Sequence, residues 1–474
     1  MEVSDKAVRR TFSRMWARLG GSDPAQKYAC DELPLRSELF SADQMEQHGK
    51  ILAGSHQLKS GRPRDRLLAR LAENESLLLE VHNLLTEDVK TDRRISPAGE
   101  WLLDNFYLIE EQIRTARRHL PKGYSRELPR LTNCPSAGLP RVYDIALETI
   151  SHGDGRVDPE NLSRFVAAYQ SVTPLKLGEL WAIPIMLRLA LIENLRRLAA
   201  RIAAARIDRN RAAHWADRMI EIAAQDPKSL ILLIADMARS NPPMVSSFVA
   251  ELSRRLQGLG PALAMPLTWV EQQLSESGLT IEQLVLSENQ QQASDQVTMS
   301  YSIGSLRFLG AMDWREFVET MSLVEQALAE DPADVYSKMD FTTRDRYRHA
   351  VEKMAKRSPH SESEVARQAI RLAHAGAVRK GGDDRTAHVG FYLIGEGLTQ
   401  LERTAEVRLS PAEALRKIGS RFPLLLYGGT ILLTTALFAG GLSAKAHAGG
   451  LQGWALGLLG PLLLLCAGHL AVAL

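Results

Sequence analysis

"RDRLLARLAENESLLLEVHNLLTEDVK", residues 64–90, places Leu67, Leu71, Leu78, Val81, Leu85 and Val89 at spacings near 3.6. That period puts the six on one stripe of a helix and leaves the charged residues on the opposite side. Comparable runs fill most of the chain, at 138–151, 158–170, 176–206, 211–224, 227–238, 242–257, 266–275, 279–292, 313–329, 344–356, 361–378, 386–403 and 410–419. Asp-Pro pairs at 158, 226 and 331 mark expected helix starts between them, because Asp caps and proline is tolerated in the first turn. No window alternates with period two between hairpin turns, so a sheet is not expected. No unit of 30 to 45 residues recurs, which gives no support to a regular solenoid. The expected fold class is all-α.

A second stretch, WLLDNFYLIEEQIRTARRHLPKGYSRELPRL at 101–131, gathers aromatics, acids and arginines. Ser96-Pro97 opens it as N-cap and first helical residue, and Pro121 with Gly123 closes it. Trp101, Leu102, Phe106, Ile109 and Ile113 form the expected buried stripe. Glu100, Asp104, Glu110 and Glu111 could supply an acid and base pair, but carboxylates one turn apart repel and need burial to titrate usefully. Their early position, with Arg114, Arg117, Arg118 and His119 late, complements the helix dipole. Packing is the better account.

The chain changes character at Arg421. Residues 422–444 and 451–474 contain no Lys, Arg, Asp or Glu, and a helix of such length reaches about 35 Å, enough to cross a hydrocarbon core. The expectation is a two-helix transmembrane hairpin, with 422–444 and 451–474 as spans and 445–450 as a periplasmic loop. Arg416, Lys417 and Arg421 precede the first span while the loop offers only Lys445, so residues 1–421 are expected in the cytoplasm. Ala436 with Gly440, and Gly453 with Gly457, would let helices approach closely. Leu474 ends the run without an interfacial anchor, which suggests an N-terminal piece of a longer polypeptide. Residues 1–40, poorest in periodicity, are expected to be loosely ordered, and 41–421 to form the helical cytoplasmic domain.

At 474 residues the chain can hold more than one core. Its net charge of +2 gives no global attraction to nucleic acid, and no nucleic-acid partner is expected. Cys30, Cys134 and Cys466 are too few and too far apart for a disulfide framework. There is no phosphate-cradling G-x-x-x-x-G-K-[ST], no G-x-G-x-x-G after a strand, and no H-E-x-x-H. His152-Gly-Asp154-Gly-Arg-Val-Asp158 looks like the start of a calcium loop, but Phe165 stands where its last acid belongs. The arginines of ENLRRLAARIAAARIDRNR, 193–211, form either a solvated face above Leu195, Leu198, Ile202 and Ala205 or a patch for lipid headgroups.

Five blocks carry a resemblance: AGEWLLDNFYLIEEQI with HLPKGYSRELPRL (98–131), LGELWAIPIMLRLALIENLRRLA (177–199), SYSIGSLRFLGAMDWREFVE (300–319), EDPADVYSKMDFTTRDRYRHAVEK (330–353) and HVGFYLIGEGLTQLE (388–402). In this order they resemble the N-terminal region of bacterial cyclic β-1,2-glucan synthases, over about residues 34–474. The resemblance implies an inner-membrane protein that polymerises and cyclises glucose from UDP-glucose, with a divalent cation, in a glucosyltransferase domain beyond Leu474. The processive-transferase spacings Asp-x-Asp and Gln-x-x-Arg-Trp do not occur in this chain. No catalytic, cofactor or metal residue is therefore assigned here. The expected role is to support or position the downstream glucosyltransferase domain. Lys122, Tyr124, Arg126 and Arg130 would stand exposed after a helix end as contacts for that domain or for membrane lipid. The alternative is a non-enzymatic, membrane-anchored helical scaffold for a protein partner.

Overall fold

The computed structural model describes residues 28, 32–59, 66–121, 123–133, 135–408, 423–450, 453, 461–462 and 464–466. They are helical almost throughout, so the all-α expectation holds. The chain divides into two compact units, Met1–Gln326 and Ala327–Leu474.

In the first unit the helices are α1 (Ala42–Ser55), α2 (Leu67–Lys90), α3 (Pro97–Asp104), α4 (Phe106–His119), α5 (Arg141–His152), α6 (Pro159–Val172), α7 (Leu177–Gln225), α8 (Leu230–Ser240), α9 (Ser246–Leu256), α10 (Ala264–Ser275), α11 (Ile281–Ala311) and α12 (Trp314–Met321). Helix α7, 49 residues long, is the axis. Its first half, including Leu187, Leu191, Leu195 and Leu198, packs with α2, α4, α5 and α6 in one apolar core. Its second half, through Ala212, Ala216 and Met219, joins α8, α9 and α10 in another.

The stripe of α2 differs from its sequence reading at two rungs. Leu67, Leu71, Leu78, Val81 and Leu85 are buried, whereas Val89 is exposed and Asn74 and Asp88 are buried in line with the leucines. Asn74 donates to Glu193 on α7 at 2.9 Å, and Asp88 receives both arms of Arg206, also on α7. Buried polar groups are tolerated where each has a partner. The same effect joins 176–206 to 211–224 in one helix: Asp208, buried, accepts from Ser247 of α9, and Arg209 pairs with Glu288 of α11. It also carries α11 well past residue 292, through buried Asp295, Thr298, Ser302 and Ser305. The expected single helix across 97–119 breaks at Asn105, whose side-chain amide bonds back to the Trp101 carbonyl at 2.9 Å. Trp101 is half-buried, while Leu102, Phe106, Ile109 and Ile113 are buried as expected.

A two-residue antiparallel ladder pairs Leu58 with Leu131 and Lys59 with Arg130, the one pair of strands among the described residues. Residues 32–40 carry no helix or strand, yet they are pinned. The Leu35 amide donates to Asn194 at 2.7 Å, and Arg36 reaches Asp154, Asp295 and the Ser294 carbonyl.

The second unit contains α13 (Phe341–Ala355), α14 (Glu362–Lys380), α15 (Leu398–Thr404) and α16 (Pro423–Ala448). The expected run at 386–403 is three short pieces, Arg385–Ala387, Gly390–Leu393 and Leu398–Thr404. The expected run at 410–419 lies outside the described residues. Tyr427–Ala448 is long and apolar enough to cross a membrane, and it is almost wholly exposed. The helix continues through Lys445, Ala446 and His447, where a loop was expected. Alanines favour helix, and the turn falls at Gly449 and Gly450, the latter at φ +91°, a conformation glycine takes without a Cβ penalty. Most of the expected second span, 451–474, lies outside the described residues, and one candidate span is found among those described.

Candidate functional site

The loop expected to dock is itself packed. Tyr124 opens a single helical turn, half-buried, and its hydroxyl donates to the Gly178 carbonyl at 3.4 Å. Arg130 is buried, donating to the Gly138 carbonyl at 2.8 Å and the Ser125 carbonyl at 3.1 Å. It is not the exposed contact expected of it. A guanidinium has five donors and satisfies several loop carbonyls at once, so Arg130 closes the loop on itself. Arg126 is exposed. Lys122 lies outside the described residues.

Arg196, Arg197, Arg201, Arg206 and Arg209, within 193–211, meet protein carboxylates. Glu193, fully buried on α7, accepts from Arg70 of α2 at 2.6 and 2.9 Å, from Arg196 at 2.9 Å and from Arg197 at 2.8 Å. Burial alone would raise its pKa, but the hydrogen bonds from Arg70 and the charges of all three arginines outweigh it and hold the carboxyl below the usual range. Arg201 pairs with Asp295. Asp154 of the calcium-like fragment has a similar fate, accepting from Arg36 at 3.2 Å and from Thr298.

The densest polar chemistry lies between α1 and α5, in a seam of histidines and carboxylates. Asp144, Glu148 and His152 recur every four residues on one face of α5, opposite His48 of α1 and His56 just past its end. Gly49 lets α1 approach α6 closely: a Cβ there would lie 2.9 Å from the Phe165 carbonyl oxygen. His48 consequently stacks on the Phe165 ring at 6.1 Å between centroids.

At the inner end, His56 Nε2 lies 3.1 Å from Asp144 and Nδ1 lies 2.8 Å from the Tyr169 hydroxyl. Both side chains of the His56–Asp144 pair are buried, at 2% and 9% exposure. A carboxylate only accepts, so Nε2 carries the proton and Nδ1 accepts from Tyr169. Burial pushes the Tyr169 phenol up to about 12 despite the nearby Arg141, keeping it a donor. Beneath it Arg141 grips Glu179 through two bonds of 2.6 Å, both side chains buried.

At the outer end, Glu148 Oε2 lies 2.9 Å from His48 Nε2 and 3.3 Å from His152 Nε2. His152 stacks on Phe40 with centroids 3.8 Å apart, and its Nδ1 lies 2.7 Å from the Glu38 carbonyl. These side chains are 10–30% exposed.

The second unit has its own relay. Asp331, buried, accepts from His388 Nδ1 and the Val389 amide at 2.8 Å each, and His388 Nε2 faces the Tyr347 hydroxyl at 3.2 Å. Burial would raise the Asp331 pKa, but these hydrogen bonds carry it below its ordinary value. Asp331 also accepts from the Val335 and Tyr336 amides at 3.3 Å, so one carboxylate ties the 331–336 turn to 388–389.

No family model matches the chain. Among curated proteins, 410 residues align at 32% identity with the cyclic beta-(1,2)-glucan synthase NdvB of Rhizobium meliloti (strain 1021), covering 84% of this chain. The chain is related to the cyclic β-(1,2)-glucan synthases. It spans 14% of that relative's length. The relationship agrees with the five blocks read from the sequence, two of which supply Glu179 with Glu193 and Asp331 with Tyr347. The relays of the seam, by contrast, were not legible: His48 and His56 sit outside every motif. The spacing 144–148–152 was the available signal.

Proposed function

We propose that this chain serves in cyclic β-1,2-glucan synthesis as a helical, membrane-attached module that positions a glucosyltransferase domain using UDP-glucose and a divalent cation. The observation that carries the reading is the 32% identity to a glucan synthase over most of the chain. The treatment of charge along α7 supports a positioning role. Glu179 and Glu193 are fully buried and held by arginines from neighbouring helices or turns, an arrangement that fixes the relative placement of helices. Arg126, exposed on the 123–131 turn, together with Lys122 and Tyr124, forms the proposed contact for the transferase domain or for lipid.

The module attaches through 422–444 and a second span at 451–474, with residues 1–421 in the cytoplasm of a bacterial inner membrane. Support comes from the exposed apolar helix Tyr427–Ala448 and from Arg416, Lys417 and Arg421 ahead of it. The relationship to a synthase weighs against a free-standing scaffold for an unrelated partner.

The test uses membranes carrying this chain joined to its transferase partner, with radiolabelled UDP-glucose as donor. Arg126→Ala with Lys122→Ala should lower glucan output several-fold while leaving chain abundance unchanged. Turnover of UDP-glucose by the purified 474-residue chain alone overturns the positioning role.

A further inference from the structure

The outer end of the seam has an unbalanced set of lone pairs. His152 Nδ1 faces the Glu38 carbonyl at 2.7 Å. A carbonyl cannot donate, so Nδ1 holds the ring proton. In the neutral ring Nε2 then presents a lone pair to Glu148 Oε2, itself an acceptor, 3.3 Å away. Two acceptors face each other there, and a second nitrogen, His48 Nε2, converges on the same oxygen at 2.9 Å. A proton on Nε2 or a metal cation between the two removes the conflict.

We infer that His48, Glu148 and His152 form a binding site for a divalent transition metal of the zinc class. Two imidazoles and a carboxylate suit that class, whereas magnesium and calcium prefer oxygen donors. The three donor atoms lie within 4.8 Å of one another. A tetrahedral zinc centre with bonds of about 2.0–2.1 Å places its donors about 3.3 Å apart, which is already the His152–Glu148 separation. The His48–Glu148 pair needs to open by a few tenths of an ångström. The Glu38 carbonyl does what an outer-shell acceptor does for a metal-bound histidine, fixing the tautomer and the ring plane, and Phe40 stacks on one face of that ring. Glu148 and His152 come from the last turns of α5 and His48 from the middle of α1. An ion would therefore clamp two helices and retain a fourth position for water or another ligand.

The site goes beyond the positioning role and is tested without glucan synthesis. The full chain, free of affinity tags and solubilised in detergent, is stripped with chelator, then titrated separately with Zn²⁺ and Co²⁺. Bound metal is read by mass spectrometry and the Co²⁺ complex by its visible ligand-field bands. One ion per chain is expected. His152→Phe, which keeps an aromatic against Phe40, and Glu148→Gln should each weaken binding by about tenfold or more and remove the bands, with helical circular dichroism unchanged. His349→Gln, at an exposed histidine of the second unit, should bind as the parent does. Failure of the parent chain to retain stoichiometric metal overturns the site, and so does equal binding by the parent, His152→Phe and Glu148→Gln. If either variant loses helical signal, His48→Gln provides the same comparison from α1.

Discussion

The two ends of the seam both set a histidine against a carboxylate of α5 and satisfy it differently. At the inner end one tautomer of His56 satisfies both neighbours, donating to Asp144 and accepting from Tyr169. At the outer end no neutral tautomer satisfies His152, because a carbonyl takes its one proton and a carboxylate faces its lone pair. The difference is one hydroxyl. Tyr169 offers a donor where the outer end offers a second imidazole. Burial follows this chemistry, for a balanced network can be enclosed at low cost, while an unbalanced one favours contact with water or a cation.

The largest effect is expected at the deepest point of the seam. Arg141 and Glu179 underlie Tyr169, both buried, so Glu179→Ala should cost about 3–5 kcal/mol by leaving a guanidinium without its counter-charge. Replacing both, Arg141→Met with Glu179→Leu, should restore most of that loss, because buried pairs gain little over apolar residues of similar volume. Denaturant unfolding of the solubilised chain measures both. A double variant as unstable as the single one shows that the pair does more than satisfy itself.

Glu193 gives the next effect, through pH. Its pKa in the folded chain lies below the ordinary carboxyl value, since three arginines overcome the effect of burial. A group depressed on folding stabilises above its unfolded pKa, about 4.3, and that contribution declines as pH falls below it. The parent chain should therefore lose stability between about pH 5 and pH 3 more steeply than Glu193→Gln, which is already less stable at pH 7 by about 3 kcal/mol. Parallel pH profiles for the two proteins count against Glu193 as a titrating brace.

These ionic rungs also explain what the sequence conveyed. The leucines of α2 and the aliphatic residues of 176–206 revealed helices because their period of 3.6 needs no knowledge of a partner. Asp208 and Asp295 concealed the continuity of α7 and α11, and Asn74 and Asp88 the full extent of the buried stripe of α2, since a polar residue in an apolar stripe reads as an interruption until its partner is seen. Each partner lies far away in sequence, as Arg206 does from Asp88 and Arg201 from Asp295. Arg130 misled for a different reason: a charged residue after a helix end is usually exposed, and the carbonyls that bury it are near in sequence but belong to the loop's own fold. The seam lay beyond reach because His48 and His56 precede their acids by about 90 to 100 residues. Spacing on α5 hinted at one face but could not supply the opposite helix.

The smallest effect separates the two ends themselves. Asp144→Ala removes the acceptor of a buried imidazole N–H and should destabilise the chain by about 1–3 kcal/mol, the usual penalty for an orphaned buried donor. His152→Phe in chelator-treated protein should change stability by about 0.5 kcal/mol or less, because it deletes the opposed lone pair and preserves the stack on Phe40. With zinc present the order should reverse: the parent chain gains stability from the ion, which binds the folded form, and His152→Phe gains little. Thermal unfolding of both variants, with chelator and with zinc, reads all four values in one series. Equal destabilisation of the two variants without metal removes the distinction between a closed end and an open one, and with it the physical reason for a cation at His152.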